Sequence, residues 1–244
     1  MKNSIIIVAI IFSIAIIVLG LTIGNSYKYK YEISNTINVT GNAKKDFESD
    51  LVKWTAYYSR KSADLSQASE KLKEDRGLVR DFLLENGIKE DEISFKAIDI
   101  RKDYTQSYDN AGNSYSSFSG YVLTQYVSVE SQDLDKVTQA SREISELISK
   151  EVELSSNPPS YFYSRLEDLK LELISQASEN AKARADNIAK ESSAKIKSLS
   201  SADLGVFQIT GQNDNEDFSY GGVFNTSSRN KTAHITVKAR YLLK

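Results

Sequence analysis

The residues able to do chemistry in this chain are few. His234 is the only histidine, and there is no cysteine. Metal sites built on histidine pairs or thiolates are therefore excluded, as are disulfides and a cysteine nucleophile, and a serine-histidine-acid triad has one candidate imidazole. His234 falls on the polar side of an alternating run with Thr236 and Lys238, the position of an exposed strand histidine. Asp214, Glu216 and Asp217 cluster in one polar stretch and offer hard oxygens to calcium, but their spacing is not that of an EF-hand loop, and a solvated acidic loop is the simpler reading. No glycine-rich phosphate loop of either standard spacing occurs. Two acids distant in sequence could still converge in a cleft, and no spacing points to a pair.

What the polar stretches do carry is aromatic. Asp103 to Ser117 contains Tyr104, Tyr108 and Tyr115, and Gly211 to Arg229 contains Phe218, Tyr220 and Phe224. Long loops in a compact domain are functional or disordered, and tyrosine and phenylalanine in polar surroundings are side chains that interfaces favour. These six aromatics are the candidate partner-binding residues. No cofactor is expected.

The elements that must position them can be read from periodicity. Leu166, Leu169, Leu173, Ala177, Ala181, Ala185, Ile188 and Ser192 recur at spacings of three or four, with Lys170, Glu179, Lys182, Asp186 and Lys190 elsewhere on the wheel. That predicts one amphipathic helix from Tyr163 to about Ser193, roughly 45 Å long, preceded by Pro158 and Pro159. Its alanines form a low ridge that lets a neighbouring backbone come close.

Two further helices are expected, Ser62 to Glu85 ending at Asn86-Gly87 and Gln132 to Ser149. Period-two runs predict strands from Tyr31 to Thr40 and from Val52 to Tyr58, joined as a hairpin by a polar turn from Asn42 to Asp50. Others are predicted over 93–102, 118–130, 204–210 and 233–241. Trp54, the sole tryptophan, is expected to point into the core.

Ser4 to Ile23 is uncharged and almost wholly apolar, long enough for one membrane span. A cleaved signal peptide with the cut near Gly20 is the competing reading, although the apolar run exceeds the usual length of such a region. Lys2 and the amino terminus on one side nearly balance Lys28 and Lys30 on the other, so charge leaves orientation open. The usual topology for so short a leader puts the body outside. This gives an anchor over 1–25 and a body over 26–244. With 26% charged and 40% hydrophobic residues the chain can bury a real core, and its net charge of −2 gives no electrostatic case for nucleic acid.

Several short motifs resemble the SIMPL domain family, a domain of unknown function that includes periplasmic immunogenic proteins of bacteria. They are Ile37-Asn-Val-Thr-Gly41, Leu83-Leu-Glu-Asn-Gly-Ile88 followed by Glu92-Ile-Ser94, and Gly120-Tyr121. The alanine-spaced helix Ala177 to Ala189 and the closing strand Ile235 to Tyr241 complete the series. Together they cover about residues 33 to 243. One departure is Ser192-Ser-Ala-Lys-Ile196, where the family places a glycine-containing turn after the long helix. The resemblance implies an α+β fold, antiparallel strands packed with about three helices behind one N-terminal transmembrane helix. It also implies an extracytoplasmic setting, homo-oligomeric assembly and a role in envelope stress defence, and it supplies no catalytic residue. The expectation is a membrane-anchored, non-enzymatic protein acting through homo-oligomerisation or an unidentified protein partner, with the membrane contacted through residues 4–23. An envelope hydrolase or a small-molecule-binding module with an unrecognised cleft is the alternative.

Overall fold

The computed structural model describes residues 2–108, 112–214 and 219–244, and within these the side chains of all but residues 2–10 and 29–34. Helix α1 (Lys2–Ser34) is followed by strands β1 (Thr36–Glu48) and β2 (Leu51–Ser62), helix α2 (Leu65–Glu85), and strands β3 (Ile93–Phe95), β4 (Asp99–Tyr108) and β5 (Ser114–Ser131). Helix α3 (Leu134–Glu143) runs on into a 3-10 segment, Ile144–Lys150. Strands β6 (Leu154–Ser156) and β7 (Ser160–Phe162) bracket the prolines, and helix α4 (Leu166–Glu191), β8 (Ile196–Leu204), β9 (Gln208–Gly211) and β10 (Asn230–Leu243) complete the chain.

The strands form two antiparallel sheets. In the first, β10 lies between β1 on one side and β8 and β9, end to end, on the other. In the second, β2 and β5 are central, β6 and β7 follow β2, and β3 and β4 follow β5. Each sheet has a core of its own, closed by one helix in the first and two in the second. Helix α4 packs Leu169, Leu173 and Ala177 against Ala43, Ala233, Ile235 and Val237, and Ala181 and Ala185 against Val39, Ala239 and Tyr241. Helices α2 and α3 close the second core around Trp54, Tyr58, Leu72, Leu83, Leu123 and Ile144. Trp54 is core, as expected, and donates from Nε1 to Ser156 Oγ at 3.1 Å.

The expected hairpin of the first two strands does not form. Glu48 is the last residue of β1 and Leu51 the first of β2, but β1 pairs with β10 and β2 with β5. The polar stretch taken for a turn is strand, because Ala43 and Phe47 continue the inward alternation against α4. The start at Tyr31 is also corrected. Residues 31–34 are helical, and β1 begins at Thr36 opposite Leu242, close to where the partner strand ends. Tyr31 and Ile33 alternating with Glu32 and Ser34 imitate a strand, but a strand needs a neighbour for its backbone groups.

Smaller corrections follow the same logic. The strand expected over 93–102 is two, β3 and β4, and that over 204–210 is also two, β8 and β9. β8 carries few inward apolar residues and so shows no alternation. On α4 the buried stripe closes on Ala189, while Ile188 is 49% exposed. The third helix tightens to 3-10 geometry at Ile144.

The ridge of alanines meets the backbone of β1 at a glycine. A Cβ on Gly41 of β1 would lie 2.1 Å from the Ala177 carbonyl oxygen and 2.4 Å from the Ala181 nitrogen. Asn180 accepts from the Asn42 amide at 3.2 Å, and Arg184 donates to the Thr40 carbonyl at 2.9 Å, so polar contacts flank the seam. At the end of α4, Ser193 has φ 56 and the Ala194 amide donates to the Ala189 carbonyl at 2.8 Å. This is the left-handed cap that glycine ordinarily fills, held here by serine. Ser193→Gly is expected to raise stability by about 1 kcal/mol, read as a higher urea midpoint at unchanged slope.

Candidate interaction surface

The stretch expected as a loop, 103 to 117, is mostly strand. β4 and β5 pair from Asp99↔Thr124 to Tyr108↔Ser114, and residues 104–108 and 112–118 are exposed or half-exposed on both faces. They make a two-stranded arm that continues past the end of β2, whose last paired residue, Ser62, lies opposite Tyr121. A ribbon solvated on both sides needs no apolar alternation. Its serines, threonine and tyrosines therefore read as loop although they favour strand.

The root of the arm is fastened. Gly120 has φ 140, and a Cβ there would meet the Ser62 carbonyl oxygen at 2.6 Å, so the ribbon crosses the end of β2 at glycine distance. Asp103 takes Lys61 at 2.5 Å and the Ser119 hydroxyl at 3.0 Å. The Lys61 hydrogen bond, helped by Ser119, holds the Asp103 carboxyl below the usual carboxylate range. A bulge falls between Asp103 and Tyr104.

Beyond the bulge the arm carries aromatic rings and no charge among its described residues, 104–108 and 112–119. Tyr104 stands opposite Phe118 with ring centroids 6.0 Å apart, and Phe118 meets Tyr121 edge-on at 5.1 Å. Tyr108, four residues further along β4, shares the face of Tyr104, whereas Tyr115, opposite Ser107, lies on the other. The Tyr104 face leads at its root into a groove of about 730 Å³ between the start of α2 and the sheet. Leu65, Ile98, Ile100, Tyr121 and Leu123 are its apolar lining. Ile98 and Ile100 are 40% and 54% exposed. Among the described residues β4 pairs within its sheet with β5 alone, so its other edge carries backbone groups with no strand partner there. Charges at Asp99, Arg101, Lys102 and Asp103 guard that edge near the root, and none guards it from Tyr104 to Tyr108.

The second aromatic stretch lies elsewhere. Phe218 falls outside the described residues, as do Glu216 and Asp217. Tyr220 is fully exposed, and Phe224 sits with its ring 6.5 Å from that of Phe162. Phe162 pairs with Leu51 at one end of β2 and the arm leaves from the other, about 36 Å away along the strand. The structure therefore joins Tyr104 and Tyr108 with Phe118, a strand residue outside the six candidate aromatics, and separates them from Tyr220 and Phe224. Residues 219–225 of that stretch are held by buried side chains of the neighbouring strands. The buried Gln208 amide donates to the Ser219 carbonyl at 2.8 Å and accepts from the Val223 amide at 2.8 Å, and buried Lys231 donates to the Asn225 carbonyl at 2.6 Å.

A polar cleft of about 930 Å³ where the halves meet gathers Glu48, Asp50, Glu92, Glu130, Asp133 and Asp135. Arg229 bonds both Glu48, at 2.6 Å, and Asp135. Asp50 accepts from the Ser164 hydroxyl and Glu92 from the Ser131 hydroxyl, while Lys53 pairs with Glu130 at 2.9 Å. Lys136, bound to Asp133 at 2.7 Å, holds that carboxyl below its usual range, the opposite of what a general acid needs. Among the described residues no group of three or more potential ligands could hold a metal. His234 faces Lys44 across the strands, and burial, then the Lys44 charge, keeps its imidazole below its ordinary value.

Residues 37–240 match the model of one family, SIMPL, described as a protein of unknown function (DUF541). No curated protein matches the chain.

Proposed function

The chain belongs to the SIMPL family, and from that premise we propose that it is a membrane-anchored, non-enzymatic interaction protein of the cell envelope. In this reading α1 is the anchor, the body is extracytoplasmic, and the arm of β4 and β5 is its working surface, used to assemble with further copies or to hold a protein partner in envelope stress defence. The anchor is supported by Ile11–Lys28, a helical window apolar enough to cross a membrane and 0% buried against the body.

The observation that carries the working surface is the uncharged, aromatic edge from Tyr104 to Tyr108 above an apolar groove. An unguarded edge strand is a template for a further strand, and the neighbouring rings and groove supply pockets for its side chains. The groove also favours a second reading, a small apolar ligand seated between Leu65 and Ile100.

The test is a charge placed on the edge. Gln106→Lys in the full chain, in detergent, should lower the light-scattering mass toward that of one protomer and abolish any co-purifying partner, with the unfolding midpoint unchanged. Wild-type mass and partners in that variant would remove the arm from the function. Saturable binding of a hydrophobic dye, abolished by Ile100→Gln but not by Gln106→Lys, would favour the ligand reading.

A further inference from the structure

The end of the body that receives α1 is assembled from three distant parts of the chain. The Leu243 amide donates to the Asn35 carbonyl at 2.9 Å, directly after α1, and the Lys244 amide to the Lys195 carbonyl at 2.7 Å. Ile196 packs with Tyr241 and Ile37 in the same cluster, and α4 ends beside them, its last turn carrying Lys190. Around this base stand Lys190, Lys195, Lys197 and Lys244, all exposed, with Lys28 on the helix and Lys30 next along the sequence. Asp186, Glu191 and, in sequence, Glu32 are the acids interspersed among them. The base is thus basic in a chain of net charge −2. Ile188 and Leu199, 49% and 54% exposed, add apolar side chains at the same end.

Length sets how far this base stands from a bilayer. If residues 4–23 fill the hydrocarbon, 24–34 remain as a helical stalk of about 16 Å, of which the headgroup layer takes roughly 5–8 Å. The lysines then lie about one Debye length, ~8–10 Å, from the headgroups, where an anionic surface still attracts them. Tyr27, about 6 Å past Ile23 along the helix, falls in the layer that interfacial aromatic residues prefer.

We infer that the base formed by Lys190, Lys195, Lys197 and Lys244 binds anionic phospholipid headgroups and seats the body on the bilayer. This rests on the reading of α1 as a span. Seating limits the tilt of the body and so fixes the direction in which the arm is presented.

The full chain would be placed in nanodiscs of phosphatidylcholine alone, or with a quarter of the lipid as phosphatidylglycerol, and the acylation rate of each lysine followed by mass spectrometry. Lys195, Lys197 and Lys244 should react about fivefold more slowly in the anionic discs, with protection lost in high salt, while Lys71 on α2 reacts equally in both. As a second readout, Leu199→Cys carries a polarity-sensitive fluorophore without competition, since the chain has no cysteine. Its emission should shift to the blue in anionic discs, and not when Lys190, Lys195 and Lys244 are replaced by glutamine. Equal lysine rates in both discs, with the protein retained, would overturn the inference alone. Loss of the protein from discs of either composition would overturn the span, and this inference with it.

Discussion

Gly41→Ala is expected to unfold the sheet of β1 and β10 with its helix α4, or to cost at least about 3 kcal/mol, the upper end of what overpacking ordinarily costs. The added methyl would stand 2.1 Å from the Ala177 carbonyl oxygen, where ordinary contacts begin at 3.4 Å. Both obstacles are helix backbone, so no rotamer change relieves them, and α4 must lift off β1 by more than an ångström. That opens the cluster of Val39, Ala181, Ala185, Ala239 and Tyr241, whose members have little side chain with which to refill a gap. Gly77→Ala is the control. Gly77 lies inside α2 with open space where its Cβ would go, and alanine there should stabilise by roughly 0.5–1 kcal/mol. Urea titration of the two variants should show shifts of opposite sign. Equal small shifts would mean that α4 is not seated on Gly41.

Removing Arg60 should have an effect of similar size. Its Nε and Nη2 bond the two oxygens of Asp75 at 2.6 and 2.7 Å, tying β2 to α2. The Asp75 side chain is only 2% exposed. Arg60→Met leaves this carboxylate in the core without its cation, a loss of about 3–5 kcal/mol. The pair itself need not stabilise much, because both charges give up water to form it. Arg60→Met with Asp75→Leu should therefore regain most of the loss, and the double-mutant cycle should give a coupling far larger than the 0.2–1 kcal/mol typical of exposed pairs. A double variant as unstable as the single one would show that the pair holds α2 in place by more than its charge.

Much of this architecture is legible from periodicity. The three helices of the body, the cap at Asn86-Gly87, the inward Trp54 and the alanine ridge are local patterns, and a local pattern survives wherever its element has one buried face. The failures have a common cause. Pairing partners are not written into a strand, so β1 and β2, two residues apart, were read as a hairpin although each finds its neighbour far along the chain. The candidate site was legible only in part, because a ribbon exposed on both faces is not required to alternate. Tyr104, Tyr108 and Tyr115 were visible as aromatics in polar company, but Phe118 was assigned to a strand and its face was undetermined.

By itself the sequence determined the apolar helix, the α+β class, the family and the absence of thiol, paired-histidine and phosphate-loop chemistry. These depend on composition, short-range spacing and motif order, which folding does not alter. Tertiary structure alone decided that Gly41 meets Ala177, that Arg60 reaches Asp75, and that Tyr104 meets Phe118 above the groove. It also decided that Lys190, Lys195 and Lys244 gather where α1 enters the body. Each of these is a contact between residues that only the pairing of distant strands and the seating of helices on them bring together, and no local spacing encodes that.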